Sequence, residues 1–545
     1  MSSTRVPPLS TSPLSDNPSQ TVYRLSFAPL SQLVTSNLGL IITLIVIIAV
    51  KYARSPWRSV PRGPRGLPIL GNALQLYYKD WMFHKACKRE FEHMMYLNAL
   101  GQPVIVLNSL KAAFELLDRR ANIYSDRPRF IVSNDILCGG LFLAAMPYGD
   151  LWRRTRRAAH EVLTKVAVRD YHPIFRKESI LLASAMLQNP GALDKHIKRS
   201  ATSSTMSILY DYPTLENEDD KTIKEIYAFI DRLSAAAAPG AHLVEFLPWM
   251  IHIPNRFAKW KREAKEHYNR QTIMFTRLLN NVCSDMANGS ERPSVSASLT
   301  RNSDRSGHSK HEIAWLLATL YVAGAETSAT TLAWWALAMI AHPEVQKRAQ
   351  DELDAVVGRS RTPSFADVPS LPYIQALVKE SLRWRPALPM SIPHTTTEDD
   401  WYEGVFIPKG TICITNLWQC HRDPAAYGDD AAKFNPERFL DEHGRLLPGP
   451  VETRDDGHST YGFGRRTCVG KHAANDVLFI TMATVLWAAR LDRPCDEDGE
   501  EVPLDTETFV DSGMTFRPLP YTCKITPRFP EALSLLGEEI ELLKS

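Results

Sequence analysis

The sequence predicts a mainly α-helical protein with a small β subdomain, and three features carry that expectation. Apolar residues follow a mostly helical spacing from Asp80 to about Ala341. Within that region, His311 to Ala341 is apolar nearly all round, and at about 1.5 Å per residue it makes a helix of roughly 47 Å, long enough to cross a whole domain. Strand signal comes from one alternating, β-branched run, VFIPKGTICITNLW (Val405 to Trp418), which suits a small sheet.

Composition narrows the class. The 545 residues are 44% hydrophobic, 23% charged and 9% aromatic, ordinary globular usage that excludes a mainly disordered, collagen-like or many-pass membrane chain. The formal net charge of +2 gives no global reason to expect nucleic acid or an acidic polymer as partner. Eight cysteines are scattered without a C-x-x-C pair, which argues against a disulfide scaffold or zinc finger. Cys468 alone has neighbours that suggest chemistry.

The elements follow in order. Residues 1–32 form a polar N-terminal segment. Between Arg24 and Lys51 lie 26 residues without a formal charge, and Leu38 to Val50 is almost wholly aliphatic. Since about 20 helical residues cover the roughly 30 Å hydrocarbon core, residues 33–53 are expected to be a transmembrane anchor. A cleaved signal peptide is the alternative, but the apolar block starts late and no small-x-small site follows. Lys51, Arg54, Arg58, Arg62 and Arg65 follow the span and only Arg5 and Arg24 precede it, so the C-terminal bulk is expected in the cytosol. That placement demotes the lone sequon at Asn288 to a polar loop. Residues 54–72, with PRGPRGLPILGN, read as a stiff, kinked hinge, and 73–545 as the catalytic domain. Asn281 to Lys310 reads as an exposed loop. His311 to Ala341 reads as a central core helix rather than a second span, because Glu326 and four threonines lie inside it.

The most informative stretch is YGFGRRTCVGKHAANDV, where glycines 462, 464 and 470 surround Cys468 just before a helical pattern. The positive end of that helix, with Arg465 and Arg466, is expected to favour thiolate, and the glycines leave room for a bulky planar group. The run resembles the haem-binding signature F-x-x-G-x-R-x-C-x-G of the cytochrome P-450 monooxygenases, with Gly464, Arg466, Cys468 and Gly470 in register. Tyr461 departs from it, standing where the family usually has Phe. Glu380 and Arg383 in KESLRWRP resemble the family's E-x-x-R helix, and NPERF, with Arg438, its P-E-R-F loop. Taken alone, Glu380 and Arg383 would read as an ordinary surface ion pair.

The resemblance covers about Pro61 to the C-terminus and implies the cytochrome P-450 fold with haem b on the Cys468 thiolate. It is nearest to fungal microsomal members of the O-methylsterigmatocystin oxidoreductase-like group. AGAET (Ala323 to Thr327) resembles the family's A-G-x-[DE]-T motif, in which the helix opens at Gly324 and oxygen fits beside it, with Thr327 and Glu326 handling protons for O–O cleavage. Read without the resemblance, Thr327 would bond back to a carbonyl. Trp152 and Arg156 match a W-x-x-x-R helix, and with Arg466 and His394 they fall at positions that hold the haem propionates. His394 replaces the commoner Arg, which makes its charge conditional on pH.

Arg153, Arg154, Arg157, Arg465 and Lys471 form a candidate basic patch for an acidic NADPH-cytochrome P-450 reductase, with cytochrome b5 as a further electron donor. Substrate-contact segments implied by the family are Arg129 to Tyr148, Leu233 to Pro254, Ala387 to Ile392 and Phe509 to Phe516. They are apolar, which points to a hydrophobic terpenoid, polyketide or polycyclic aromatic, and Ala241 to Pro254 is apolar enough to touch lipid. The implied activity is insertion of one atom of O2 into that substrate, at the endoplasmic reticulum membrane. An oxygen-independent haem-thiolate isomerase or dehydratase and a non-catalytic haem-binding protein are the alternatives.

Overall fold

The computed structural model describes residues 30–77, 91, 93–216, 220–238, 240–511 and 515–543. Residues 1–29, with Arg5 and Arg24, and Cys87 lie outside the described residues. The chain divides into two compact units, Met1–Ser59 and Val60–Ser545.

In the first unit a helix runs Leu30–Ala53. Its aliphatic side chains from Leu38 to Val50 are exposed. Among the described residues, no helix is long and apolar enough to cross a membrane.

The second unit is mostly helical. Its centre is the helix Lys310–Ala341, opened by a capping box in which Glu312 N donates to Ser309 Oγ (3.2 Å) and Ser309 N to Glu312 Oε2 (2.7 Å). A Ser cap of this kind stabilises a helix by about 1 kcal/mol. Trp315, Trp334 and Trp335 are fully buried along it, so its all-round apolar character belongs to a protein core. The helices Leu193–Tyr210 and Lys259–Ala287 pack on it, and His172–Gln188 packs against both Leu193–Tyr210 and the late helix Lys471–Ala488.

The β structure is small and split. Met94–Ala99 and Gln102–Leu107 pair antiparallel, Gln102–Leu107 lies parallel to Ile412–Thr415, and His394–Thr395 closes the sheet. The expected Val405 to Trp418 strand region divides at Gly410, whose φ of 79° makes a turn: Val405–Ile407 pairs instead with Asp400–Tyr402 as a separate ribbon. A hairpin of Phe509–Asp511 and Phe516–Pro518 stands apart.

Two expectations change here. Asn281 to Lys310 is not an exposed loop: residues to Ala287 continue a long helix, and Val295–Arg301 forms another with Val295, Ser296, Ala297 and Leu299 buried. Ser296 donates to Leu209 O (2.6 Å), which shows how a serine-rich segment enters a core once each hydroxyl has an acceptor. Pro61 to Asn72 does not stand free as a joint, because Tyr96 N donates to Arg62 O (2.9 Å) and Asn98 N to Asn72 Oδ1 (2.8 Å), docking the segment on the first strand.

Candidate active site

A cavity of about 270 Å³ lies between the central helix and the loop that precedes Lys471–Ala488. Of the sequence-derived candidates, Cys468, Arg466, Trp152, Arg156, His394, Glu326 and Thr327 line it together.

The cysteine loop is held by its own backbone. Cys468 N donates to Tyr461 O (2.8 Å), Thr467 Oγ1 to Gly464 O (2.9 Å), and Thr460 Oγ1 to Leu382 O (2.7 Å), tying the loop to the helix Pro372–Trp384. Gly464 has φ +57° and an added Cβ would lie 2.2 Å from Leu117 O, so no side chain fits there. Gly470 caps the helix, and its amide hydrogen-bonds the Cys468 sulfur. The Cys468 sulfur opens onto the cavity; desolvation by the surrounding protein raises its thiol above its ordinary pKa, and the Gly470 amide, Arg156 and Lys471 oppose that rise without offsetting it.

The expected thiolate support from Arg465 and Arg466 is therefore corrected. Arg465 donates to Tyr148 Oη (2.7 Å), and Arg466 turns to the far edge of the cavity. Deprotonation of Cys468 would come with metal binding, since a thiol that ligates a metal releases its proton to solvent. The Tyr461 ring lines the cavity while its hydroxyl donates to Asn475 Oδ1 (2.6 Å), on the helix behind.

The polar edge is built from several elements. Arg466 donates through Nε to Ser125 O (2.8 Å) and through Nη2 to Met146 O (2.9 Å), its guanidinium lies 4.2 Å from the Trp152 ring centroid, and its Nη1 is buried without a partner. Burial brings Arg466 down to about 10, with Asp126 opposing and Arg156 adding to the fall. Arg156 donates to Thr467 O, beside the cysteine. Arg127, which no motif flagged, lines the same edge; it is spent on Ala144 O, Ile392 O and Pro393 O, and burial and Arg466 push it well below its ordinary value.

His394 Nδ1 lies 2.7 Å from Tyr124 O, a contact only an N–H can make well, and burial with Arg127 and Arg466 keeps its pKa far below the usual histidine range. Burial and the two guanidinium groups therefore disfavour the charged form of the His394 ring. Two buried guanidinium groups that repel each other, one with an unpartnered N–H, suit the carboxylates of a planar dianionic group, and the thiol below suits its metal. These residues fit haem.

On the central helix, Thr327 Oγ1 donates to Ala323 O (2.6 Å). Glu326 Oε1 accepts from Thr515 Oγ1 (2.9 Å) and lies 3.9 Å from Arg517 Nη1. The helix runs unbroken through this segment and does not open at Gly324. Gly324 does not line the cavity; a Cβ there would meet Thr205 Cγ2 at 3.2 Å, so glycine serves the close approach of the helix Leu193–Tyr210.

Glu380, Arg383 and Arg438 meet outside the cavity. Arg383 donates through Nε to Glu380 Oε2 (2.6 Å) and through Nη2 to Oε1 (2.7 Å), and Arg438 Nε donates to Oε1 (3.3 Å). Glu380 and Arg383 are fully buried, which sets aside the surface-pair reading.

The basic patch is partly neutralised from within. Arg153 pairs with Asp150, Arg154 with Glu312 and Lys471 with Asp456, while Arg157 is exposed. The cavity takes Phe142, Leu143 and Ala144 from the first substrate segment, Leu388 and Ile392 from the third and Thr515 from the fourth. None of the described residues of Leu233 to Pro254 lines it; Ile230 does, and Leu243 and Trp249 are exposed instead.

Comparison with known proteins agrees with this geometry. The "Cytochrome P450" family model matches residues 61–523. A cytochrome P450 monooxygenase of Armillaria gallica is 52% identical over 506 residues, 92% of this chain and 97% of that one. Another, from Postia placenta, is 45% identical over 500 residues, 92% and 94% of the two chains. A zebrafish cytochrome P450 solved with abiraterone superposes with a TM-score of 0.66 at 23% identity, covering 82% of this chain and all of that one, a likeness of fold. The chain belongs to the cytochrome P450 family, as a monooxygenase whose haem iron takes a cysteine thiolate as axial ligand.

Proposed function

We propose that Cys468 is that ligand and that the cavity above it oxidises a hydrophobic small molecule, a terpenoid, polyketide or polycyclic aromatic, with electrons from NADPH through a reductase. The observation that carries the reading is the placement of Cys468 and the Glu326–Thr327 pair on one cavity whose polar edge is cationic. Haem, when bound, supplies activation of O2 at an iron made electron-rich by the thiolate.

The chain's own residues do the rest. Arg466, through the Nη1 that the fold leaves without a partner, binds a carboxylate group, Arg127 adds positive charge beside it, Trp152 packs against the Arg466 guanidinium, and Arg156 holds the carbonyl next to Cys468. Thr327 donates to Ala323 O, which leaves its lone pairs free to accept a proton donor at the cavity wall. Glu326 is the acid that brings that proton. Phe142, Leu143, Ile230, Leu388 and Ile392 exclude water and favour apolar substrates. Glu380, Arg383 and Arg438 hold the scaffold behind the cysteine loop. The apolar residues 33–53 tether the enzyme to the endoplasmic reticulum membrane, with Ala241 to Pro254 resting on lipid and Arg157 offering an exposed charge to the reductase.

Cys468→Ala removes the reduced carbon monoxide band characteristic of thiolate-ligated haem; a band that persists in this variant refutes the assignment. Thr327→Ala keeps the band and diverts electrons from NADPH into peroxide. If product per NADPH is unchanged in that variant, Thr327 does not handle protons. A screen of hydrophobic compounds with reductase and NADPH, read by mass spectrometry, names the substrate. Product formed without oxygen would overturn the monooxygenase reading in favour of an isomerase.

A further inference from the structure

Glu326 is held from the side opposite its own helix by one edge of the hairpin Phe509–Asp511/Phe516–Pro518. Thr515 immediately precedes the strand Phe516–Pro518 that carries Arg517, and both side chains reach Glu326. Phe516 is fixed in place: its N donates to Ala387 O (3.0 Å), its carbonyl accepts from Trp334 Nε1 on the central helix (2.8 Å), and its ring stacks on Phe509 at 4.6 Å. Glu326 Oε1 takes the Thr515 hydrogen bond at 2.9 Å and lies 3.9 Å from Arg517 Nη1.

Arg517 is seated by its other nitrogen. Nη2 bonds Asp194 in the first turn of the helix Leu193–Tyr210, where the helix end also favours a carboxylate, and Lys198 pairs with the same acid at 2.9 Å. That leaves Nη1 buried, without a hydrogen-bond partner, and directed at Glu326. An ion pair at this distance guides a carboxylate without bonding it, while the threonine fixes the oxygen. Both contacts fall on Oε1, so Oε2 is the oxygen left for the cavity.

We propose that Thr515 and Arg517 are positioning residues for the oxidation: together they grip Oε1 of Glu326 so that Oε2 is presented to the cavity beside Thr327. Nothing in the sequence signature implies this, because the grip comes from a hairpin about 190 residues away in the chain and acts through the acid rather than on substrate. The inference rests on the reading of Glu326 as the cavity's acid. The hairpin acts on the orientation of the carboxylate.

The test uses the full-length holoenzyme, reduced with dithionite, with carbon monoxide as the probe and its infrared C–O stretch as the readout. That band senses polar groups facing the bound gas and does not depend on turnover. Glu326→Gln is expected to move the band. Arg517→Gln and Thr515→Val are expected to broaden or split it, as Glu326 loses its single orientation, and Arg517→Lys to return it toward the unmodified position. The same two variants raise the peroxide formed per NADPH.

Should Arg517→Gln fail to retain haem, Thr515→Val carries the test, since it exchanges a hydroxyl for a methyl group of similar size. A band unchanged in Thr515→Val and in any folded Arg517→Gln, while Glu326→Gln shifts it, overturns the grip and leaves the role of Glu326 intact. A band unmoved by Glu326→Gln removes the acid itself from the cavity, and the grip falls with it.

Discussion

Two clusters of buried arginine, built from overlapping parts of the chain, are treated in opposite ways. In the Glu380 cluster every charge is answered. Arg383 is held above its ordinary pKa because Glu380 outweighs the burial that would lower it, and its remaining N–H groups go to His421 O, Ala431 O and Lys433 O. At the cavity edge, burial wins: Arg127 and Arg466 both fall, they oppose each other, and Arg466 keeps an orphan N–H. The first cluster is complete without a ligand and the second is not. Burying an unpaired charge is costly, so a chain that does it is keeping the charge for something else to neutralise. The motif alone does not distinguish the two; only the partner count does.

The largest effect is expected at the closed cluster. Glu380→Gln leaves two buried guanidinium groups facing a neutral amide and should destabilise the fold by about 3–5 kcal/mol. It should appear as loss of folded, haem-loaded protein on expression and of cooperative melting by circular dichroism. A variant that melts as the unmodified protein would mean that carbonyls alone satisfy Arg383 and Arg438.

At the open edge the expectation reverses. Arg466→Met removes a charge that the fold does not neutralise, so the melting temperature of haem-free protein should hold or rise. Haem transfer from the holoprotein to excess apomyoglobin should become roughly tenfold faster or more, each factor of ten being about 1.4 kcal/mol. Equal destabilisation of haem-free protein by Arg466→Met and Glu380→Gln would erase the distinction between the clusters.

Acid probes both clusters through their histidines. His421, whose Nδ1 lies 2.8 Å from Arg383 O, is pushed down to about 3 by burial and then by Arg383, and His394 is pushed well below its usual range. Between about pH 3 and the ordinary histidine value of about 6.5 the unfolded chain binds a proton that folded His421 does not, so stability falls as pH drops through that window. The slope is about 1.4 kcal/mol per pH unit for each such histidine. Chemical denaturation at pH 7 and pH 5.5 should show it, and His421→Asn should lower the slope by about one proton.

The smallest effect belongs to Tyr461. Tyr461→Phe gives up the bond to Asn475 and should cost about 1 kcal/mol, with the carbon monoxide band retained.

The residues legible in advance were those whose neighbours in sequence are also their neighbours in space. The glycines around Cys468 and the Glu380–Arg383 pair one helical turn apart announced themselves because a loop and a helix turn are local objects. The long apolar run to Ala341 did so because a buried helix needs no amphipathic pattern. Arg127 and Arg517 gave no such sign, and Thr515 was covered only as part of the segment Phe509 to Phe516: each acts on a group that the fold, and not the chain order, brings near. Serine content misled for residues 281–310, since a hydroxyl bonded to Leu209 O is as much at home inside as outside. Proximity misled for Arg465 and Arg466, which stand beside Cys468 in the chain and aim away from it, while Arg156 reaches the cysteine loop from another helix.

By itself, then, the sequence determined the fold class, the cysteine loop, the central helix and its acid–hydroxyl pair, because periodicity, glycine geometry and short-range spacing are properties of the backbone within a few residues. The tertiary structure alone decided which charges are cancelled and which are left waiting, which guanidinium groups lie beside His394, and that Oε1 of Glu326 takes the Thr515 hydrogen bond. Those depend on burial and on distances between atoms far apart in the chain, and an electrostatic field exists only once the chain has closed around it.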